Sequence, residues 1–150
     1  MNDTATAFAT LFAGGAIATD TADGFRPLED APPLPELCRK HLSTVDAGIG
    51  VYPLYGDETD DGVVYRVNWG CVDFDEGEDD SRIHADNLEL VLHRLGVKGW
   101  VERSRSKGYH VWVFFSEPML ARSVREGLIG VCSVVDAPIK EVNPKQIELT

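Results

Sequence analysis

The chain has 150 residues, 43% of them apolar, and 14 Lys and Arg against 25 Asp and Glu give a formal net charge of −11. That length and apolar share suit one folded domain with a real core and exclude a disordered chain. No apolar run approaches the roughly 20 residues of a membrane-crossing helix, and Met1–Ile17 lacks the Lys or Arg of a secretory leader.

In chain order, residues 1–23 are rich in Ala and Thr with a Gly14-Gly15 break, and they suggest one short helix. The connector from Pro27 to Pro35 must be extended or turned, and Pro35 suits the first position of a helix running to about Leu42. Val51–Tyr55 follows as a short strand or edge segment. Gly62–Asp75 (GVVYRVNWGCVDFD) is rich in Val, Tyr and Trp and predicts a strand interrupted near Gly70. Asp80 or Ser81 can cap the next helix, in which Leu88, Val91, Leu92 and Leu95 fall on one face, with Gly96 as its stop. Strands are expected at Lys98–Arg103 and Tyr109–Phe115, separated by a turn at Lys107-Gly108. A helix capped by Ser116, with Pro118 in its first turn, should carry a stripe of Leu120, Val124 and Leu128 and end at Gly130. A last strand is expected around Ile139–Val142.

This order, β-α-β-β-α-β, defines an α+β (α/β) unit of the RRM-like or ferredoxin-like kind, with an N-terminal α/β extension. Residues 1–48 form that extension and linker, and residues 49–150 the core. Right-handed crossovers set the strands in the order 4-1-3-2. The end of the first strand then lies beside the starts of the third and fourth. Asp73, Asp75, Arg103 to Ser106, His110 and Glu141 should gather at one edge although they are distant in sequence.

Charge is segregated along the chain. From Asp57 to Glu89 there are 12 acids against two bases, whereas Arg94 to Arg125 holds seven bases against two acids. The net charge argues against non-specific binding to a phosphate backbone, but an acidic cluster beside a basic one suits a metal site next to a phosphate site. Asp73 and Asp75, two apart on a strand, can hold hard divalent cations, although a D-x-D alone is weak evidence. In Arg103–Trp112, Gly108 permits close backbone approach while Arg103, Arg105, Ser106, Lys107 and His110 offer donors to triphosphate oxygens. A lone histidine in an aromatic strand is ordinarily packed; the basic, glycine-containing turn before His110 favours function. In KEVNPKQ, Glu141 is a candidate third metal ligand, with Asp136 the weaker one, and Lys145 and Gln146 can reach nucleotide or template. Trp69, Trp100 and Trp112 are read as core before base-stacking.

Three scattered cysteines, Cys38, Cys71 and Cys132, fit reduced thiols in a cytoplasmic protein. No second close pair of Cys or His accompanies Cys38 and His41, so a zinc site is not expected.

Val72-Asp73-Phe74-Asp75, the stretch ERSRSKGYHVW from Glu102 to Trp112, and EVNPKQ from Glu141 to Gln146 together resemble the archaeo-eukaryotic primase superfamily, and within it the primase-polymerase domains of phages, mobile elements and TOTE conflict systems. The resemblance spans about Ile49 to the C-terminus. It implies that Asp73 and Asp75 are the metal-binding acids of the first motif, that Ser106 and His110 hold the incoming triphosphate, and that Glu141 stands where the third motif carries another acid, although the pattern departs from the usual hydrophobic-Asp form. It further implies template-directed primer synthesis from nucleoside triphosphates with two Mg²⁺ or Mn²⁺ ions on single-stranded DNA, in DNA replication. A second primase polypeptide and a replicative helicase are its candidate partners, the former because relatives usually continue beyond the third motif. Two other readings are a nucleotide- or partner-binding subunit without catalysis and, less well matched, a metal-dependent nuclease.

Overall fold

The computed structural model describes residues 3–21, 24–44, 48–105 and 108–149. The N-terminal part is richer than one helix. Helix α1 (Thr4–Leu11) leads into strands β1 (Ile17–Thr21) and β2 (Gly24–Pro27), then helix α2 (Leu34–Ser43) and strand β3 (Ile49–Val51). These strands form a small antiparallel sheet in the order β2-β1-β3, while Ala5 and Ala9 of α1 pack on Cys38 of α2. Small side chains let the two helices approach closely, so the Ala-rich stretch makes a helix pair and not a free segment.

The segment expected near Val51–Tyr55 divides between two sheets: β3 ends at Val51, and β4 (Tyr55–Thr59) joins the larger one. That sheet continues with β5 (Gly62–Phe74), β6 (Trp100–Arg103), β7 (Tyr109–Leu120) and the short β8 (Val142–Asn143). Its order is β4-β5-β7-β6, with β8 paired to the far end of β5. Counting β5, β6, β7 and β8 as strands one to four gives the expected 4-1-3-2 order.

Helices α3 (Glu78–Arg94) and α4 (Ala121–Val134) cover one face. Leu88 and Leu92 from α3 and Val124, Leu128 and Cys132 from α4 meet Val67, Val72, Phe74, Val111 and Val113 of the sheet in a buried core. Each such side chain contributes about 1.5–3 kcal/mol by leaving water. Of the face expected on α3, Leu95 instead lies exposed just past the helix end. Gly96 stops that helix with φ +77°, a conformation disfavoured for other residues.

Other boundaries differ for identifiable reasons. β5 is not interrupted at Gly70; a side chain there would strike Leu128 and Val124, at 2.8 and 2.9 Å from its Cβ, so the glycine seats α4 on the strand. Gly77, not Asp80 or Ser81, occupies the N-cap of α3. Ser81 is buried inside the first turn, where its Oγ accepts the Glu76 N–H at 3.0 Å. Ser116 and Pro118 do not start a helix: Val67 pairs with Met119 and Trp69 with Phe114, so Phe115 to Pro118 bulge opposite Asn68. Proline needs no N–H partner at a bulge and therefore fits inside the strand. α4 begins at Ala121 and runs through Gly127 and Gly130, both in open space, its packing faces held elsewhere. Among the described residues no helix is long and apolar enough to cross a membrane.

Candidate active site

Strand alternation gives the large sheet two chemically different faces. Val72 and Phe74 of β5, with Val111 and Val113 of β7, turn toward the helices. The intervening residues face the N-terminal part: Trp69 pairs with Phe114, Cys71 with Trp112 and Asp73 with His110. On β6, Trp100 lies across from Trp112 and Glu102 across from His110, so this face continues to the sheet edge.

The N-terminal part is clamped to that face by Phe12. Its ring meets Trp112 and Phe114 edge-on at 5.1 Å each, and Trp69 at 6.4 Å. Asn68 reinforces the junction by donating to the Ala13 carbonyl at 3.1 Å and accepting from the Tyr55 hydroxyl at 3.1 Å. Trp69 and Trp112 are thus parts of an aromatic junction: Trp69 is buried as expected of a core tryptophan, whereas Trp112 is half-buried and lines the cleft described next. Trp100 is not: it is 56% exposed, with the Lys98 ammonium 4.9 Å from its ring centre.

Between the two sheets lies a cleft of about 830 Å³. Asp73, His110 and Trp112 line it from the sheet, Lys145 and Gln146 from the C-terminal segment, and Phe25 and Tyr52 from the N-terminal part. Asp73 and His110 meet on its wall, with His110 Nε2 3.4 Å from Asp73 Oδ1. The other imidazole nitrogen, Nδ1, lies 3.1 Å from Glu102 Oε2. Two flanking carboxylates, Asp73 foremost, raise the His110 pKa to about 9 against partial burial. The imidazolium in turn lowers the Glu102 pKa. Burial, together with the charges of Asp73 and Glu102, pushes the Cys71 thiol well up, so it is a neutral, inert lining group.

Asp75 lies just past the end of β5 and is exposed. Its Oδ1 sits against Gly108, where a Cβ would come within 2.2 Å of the Phe74 carbonyl oxygen and 3.4 Å of Asp75 Oδ1. Gly108 therefore lets the β6–β7 turn close onto the end of the acidic strand. Ser104 holds that turn: its Oγ accepts the Gly108 N–H at 3.0 Å, and its own N–H donates to the Gly108 carbonyl at 2.9 Å.

Glu141 approaches through its backbone. Its carbonyl accepts the Asp73 N–H at 3.0 Å, which extends the β5–β8 pairing by one position. Its carboxylate pairs with Lys145. Arg125 anchors this segment to α4 with 2.8 Å bonds to the carbonyls of Val142 and Pro144.

Arg103 is not brought to the cleft. It pairs across with Tyr109, one position out of phase with His110, and its guanidinium bonds Glu78 on α3 at 2.6 Å. Arg105 is exposed in the turn, and Ser106 and Lys107 lie outside the described residues. Asp136 follows α4 with φ +54°. His93 is exposed, and His84 packs its ring 5.6 Å from Phe74.

Glu102 was missed as a site residue, although a signal existed. A hairpin turning at residues 104–108 sets position 102 opposite position 110.

Asp73 and Asp75 are hard oxygen donors that water can reach, the chemistry Mg²⁺ and Mn²⁺ take. Among the described residues no group of three His, Cys, Asp or Glu side chains is placed to hold a metal ion. The fit to a divalent ion thus rests on the aspartate pair.

The fold, an antiparallel sheet with two helices behind it, has a counterpart among solved structures. It is similar to the polymerase domain of Mycobacterium tuberculosis Ligase D solved in complex with DNA, with a TM-score of 0.58 at 16% identity. That likeness covers 88% of this chain and 59% of the other. Residues 25–143 match the Archaeo-Eukaryotic Primase domain of TOTE conflict systems, and the chain belongs to that family. No curated protein matches the chain.

Proposed function

We propose that this chain is the catalytic core of a primase-polymerase, a nucleotidyltransferase that extends a 3′-hydroxyl on a single-stranded DNA template, with DNA replication as its setting. The observation that carries this reading is the Asp73–His110 pair on the wall of a cleft that Lys145 and Gln146 also line. Such a cleft offers anionic oxygens for a cation at one point and cationic donors for a polyphosphate beside it.

In this reading the 3′-oxygen forms a bond to the α-phosphorus of the incoming nucleotide and pyrophosphate leaves. Asp73 and Asp75 would hold Mg²⁺ or Mn²⁺, with Glu141 contributing if its carboxylate leaves Lys145. The ions supply charge neutralisation at the attacking and leaving oxygens. His110 presents Nε2 toward the cleft as a donor that orients the triphosphate, and Lys145 offsets its charge. Arg105, and Ser106 and Lys107 that follow it in sequence, are further candidate phosphate contacts. Gln146 is a candidate base or template contact. A second primase polypeptide and a helicase remain the proposed partners.

The test is incorporation of labelled nucleotides on single-stranded DNA, with and without an annealed primer, in Mn²⁺. Asp73→Ala and Asp75→Ala should each abolish incorporation; activity that survives both would end the reading. The pairing of Glu141 with Lys145 favours a second reading, nucleotide binding without turnover. Metal-dependent binding of a triphosphate by calorimetry, with no incorporation under any condition, would select it.

A further inference from the structure

The side chain of Glu102 is 56% exposed on an edge strand, a position where a glutamate is ordinarily just solvated. Here it is not. A single carboxylate oxygen, Oε2, accepts the Trp112 indole N–H at 2.7 Å and lies 3.1 Å from His110 Nδ1. An ionised carboxylate has only acceptors, so Nδ1 must be the donor in that contact. The bond made by one imidazole nitrogen determines what the other can offer. With Nδ1 held on Glu102, Nε2 is left facing Asp73 and the cleft.

The carboxylate is itself held. Trp112 cannot swing freely, because Phe12 meets its ring edge-on at 5.1 Å and Trp69 lies 5.3 Å away. His110 adds an edge-on contact of its own with Trp112 at 5.5 Å. A relay therefore runs from the aromatic junction through Trp112 to Glu102 and then to His110. β-pairing sets its register, since Glu102 lies directly across from His110.

We propose that Glu102 is a positioning residue of the nucleotide site, fixing the His110 ring with Nδ1–H on its carboxylate and Nε2 aimed at the incoming triphosphate. This rests on the nucleotide-site reading for what Nε2 meets, but not for the orientation of the ring. Groups that orient such a ring from behind typically matter 10–100-fold in metal sites, and the same order is expected here.

Two measurements on the full chain separate these levels. Proton NMR of the metal-free protein should show a downfield, slowly exchanging His110 Nδ1–H. Glu102→Ala should lose that signal, while Glu102→Gln, whose amide oxygen can accept the same two donors, should retain it. Calorimetry with a nucleoside triphosphate and Mg²⁺ should show binding about 10–100-fold weaker in Glu102→Ala, largely restored in Glu102→Gln. If Glu102→Ala does not fold, Trp112→Phe keeps a ring, removes the indole donor, and should broaden the same signal by freeing the carboxylate. An Nδ1–H unchanged in a folded Glu102→Ala, or absent from the wild type, overturns the proposal. If wild-type protein binds no triphosphate, the nucleotide reading falls, and the proton signal still decides whether Glu102 orients His110.

Discussion

At Asp73 a carboxylate oxygen lies 3.4 Å from an imidazole nitrogen whose ring partner is a second carboxylate. An imidazolium between two carboxylates is more stable than one in water, so His110 titrates near 9 in the metal-free chain instead of near 6.5. A raised folded-state pKa stabilises the fold fully below 6.5, and the contribution fades as pH rises through about 9. NMR titration of His110 should show the high midpoint, and urea midpoints should fall between pH 6.5 and 9 more in wild type than in His110→Gln. Asp73→Asn should lower the His110 midpoint, because it removes the foremost cause of the shift. A midpoint near 6.5 in the wild type would contradict the geometry. That Asp73, Asp75, Gly108 and His110 come together at one end of the sheet was legible in the sequence, because strand alternation and a hairpin turn constrain them locally. The outward turn of Arg103 was equally available, since it is one residue from Glu102 and must face the other way.

Among the elements, β5 matters most, because it carries Asp73 at one end and shares its helix face with the core. Leu88 of α3 is fully buried against that face. Leu88→Ala should destabilise the protein by about 2–5 kcal/mol, through lost transfer energy and the cavity left behind. Chemical denaturation checks this, and a loss below about 1 kcal/mol would mean the site collapses around the gap. The periodicity of α3 and the glycine after it were readable, because one repeating apolar face and one stop residue suffice. The start of α4 was not. Ser116 and Pro118 are ordinary helix-start residues, and only pairing with distant Val67 and Trp69 turns them into a strand bulge. The small N-terminal sheet was hidden likewise: β1 and β2 are short, and β3 reaches β1 from beyond α2.

For the whole molecule, two sheets face one another across a cleft, and Phe12 ties the N-terminal part to the larger sheet through its ring contacts. Phe12→Ala should leave the large sheet folded while weakening the aromatic junction. The expected outcome is faster hydrogen exchange in α1 and β1 with little change in the centre of β5, and uniform protection would show that other contacts suffice. Strand order was predictable because crossover handedness leaves few choices once the element order is known. The docking of the N-terminal part was not, since it depends on an aromatic cluster drawn from three separate segments. The charge contrast along the chain also translated only in part: Arg66 and Arg103 are taken up by Asp57 and Glu78, and among the described residues Lys145 and the His110 imidazolium are the cations on the cleft wall.

On the proposed function, a divalent ion and a nucleotide meet beside Asp73 and His110. Mn²⁺ is paramagnetic and broadens the NMR signals of nearby nuclei, so adding it substoichiometrically with a nucleoside triphosphate tests the claim directly. Broadening should centre on residues 72–76 and 108–111 and vanish in Asp73→Asn. Broadening centred instead on the acidic turn at Asp57–Asp61, or unchanged by that substitution, would contradict it.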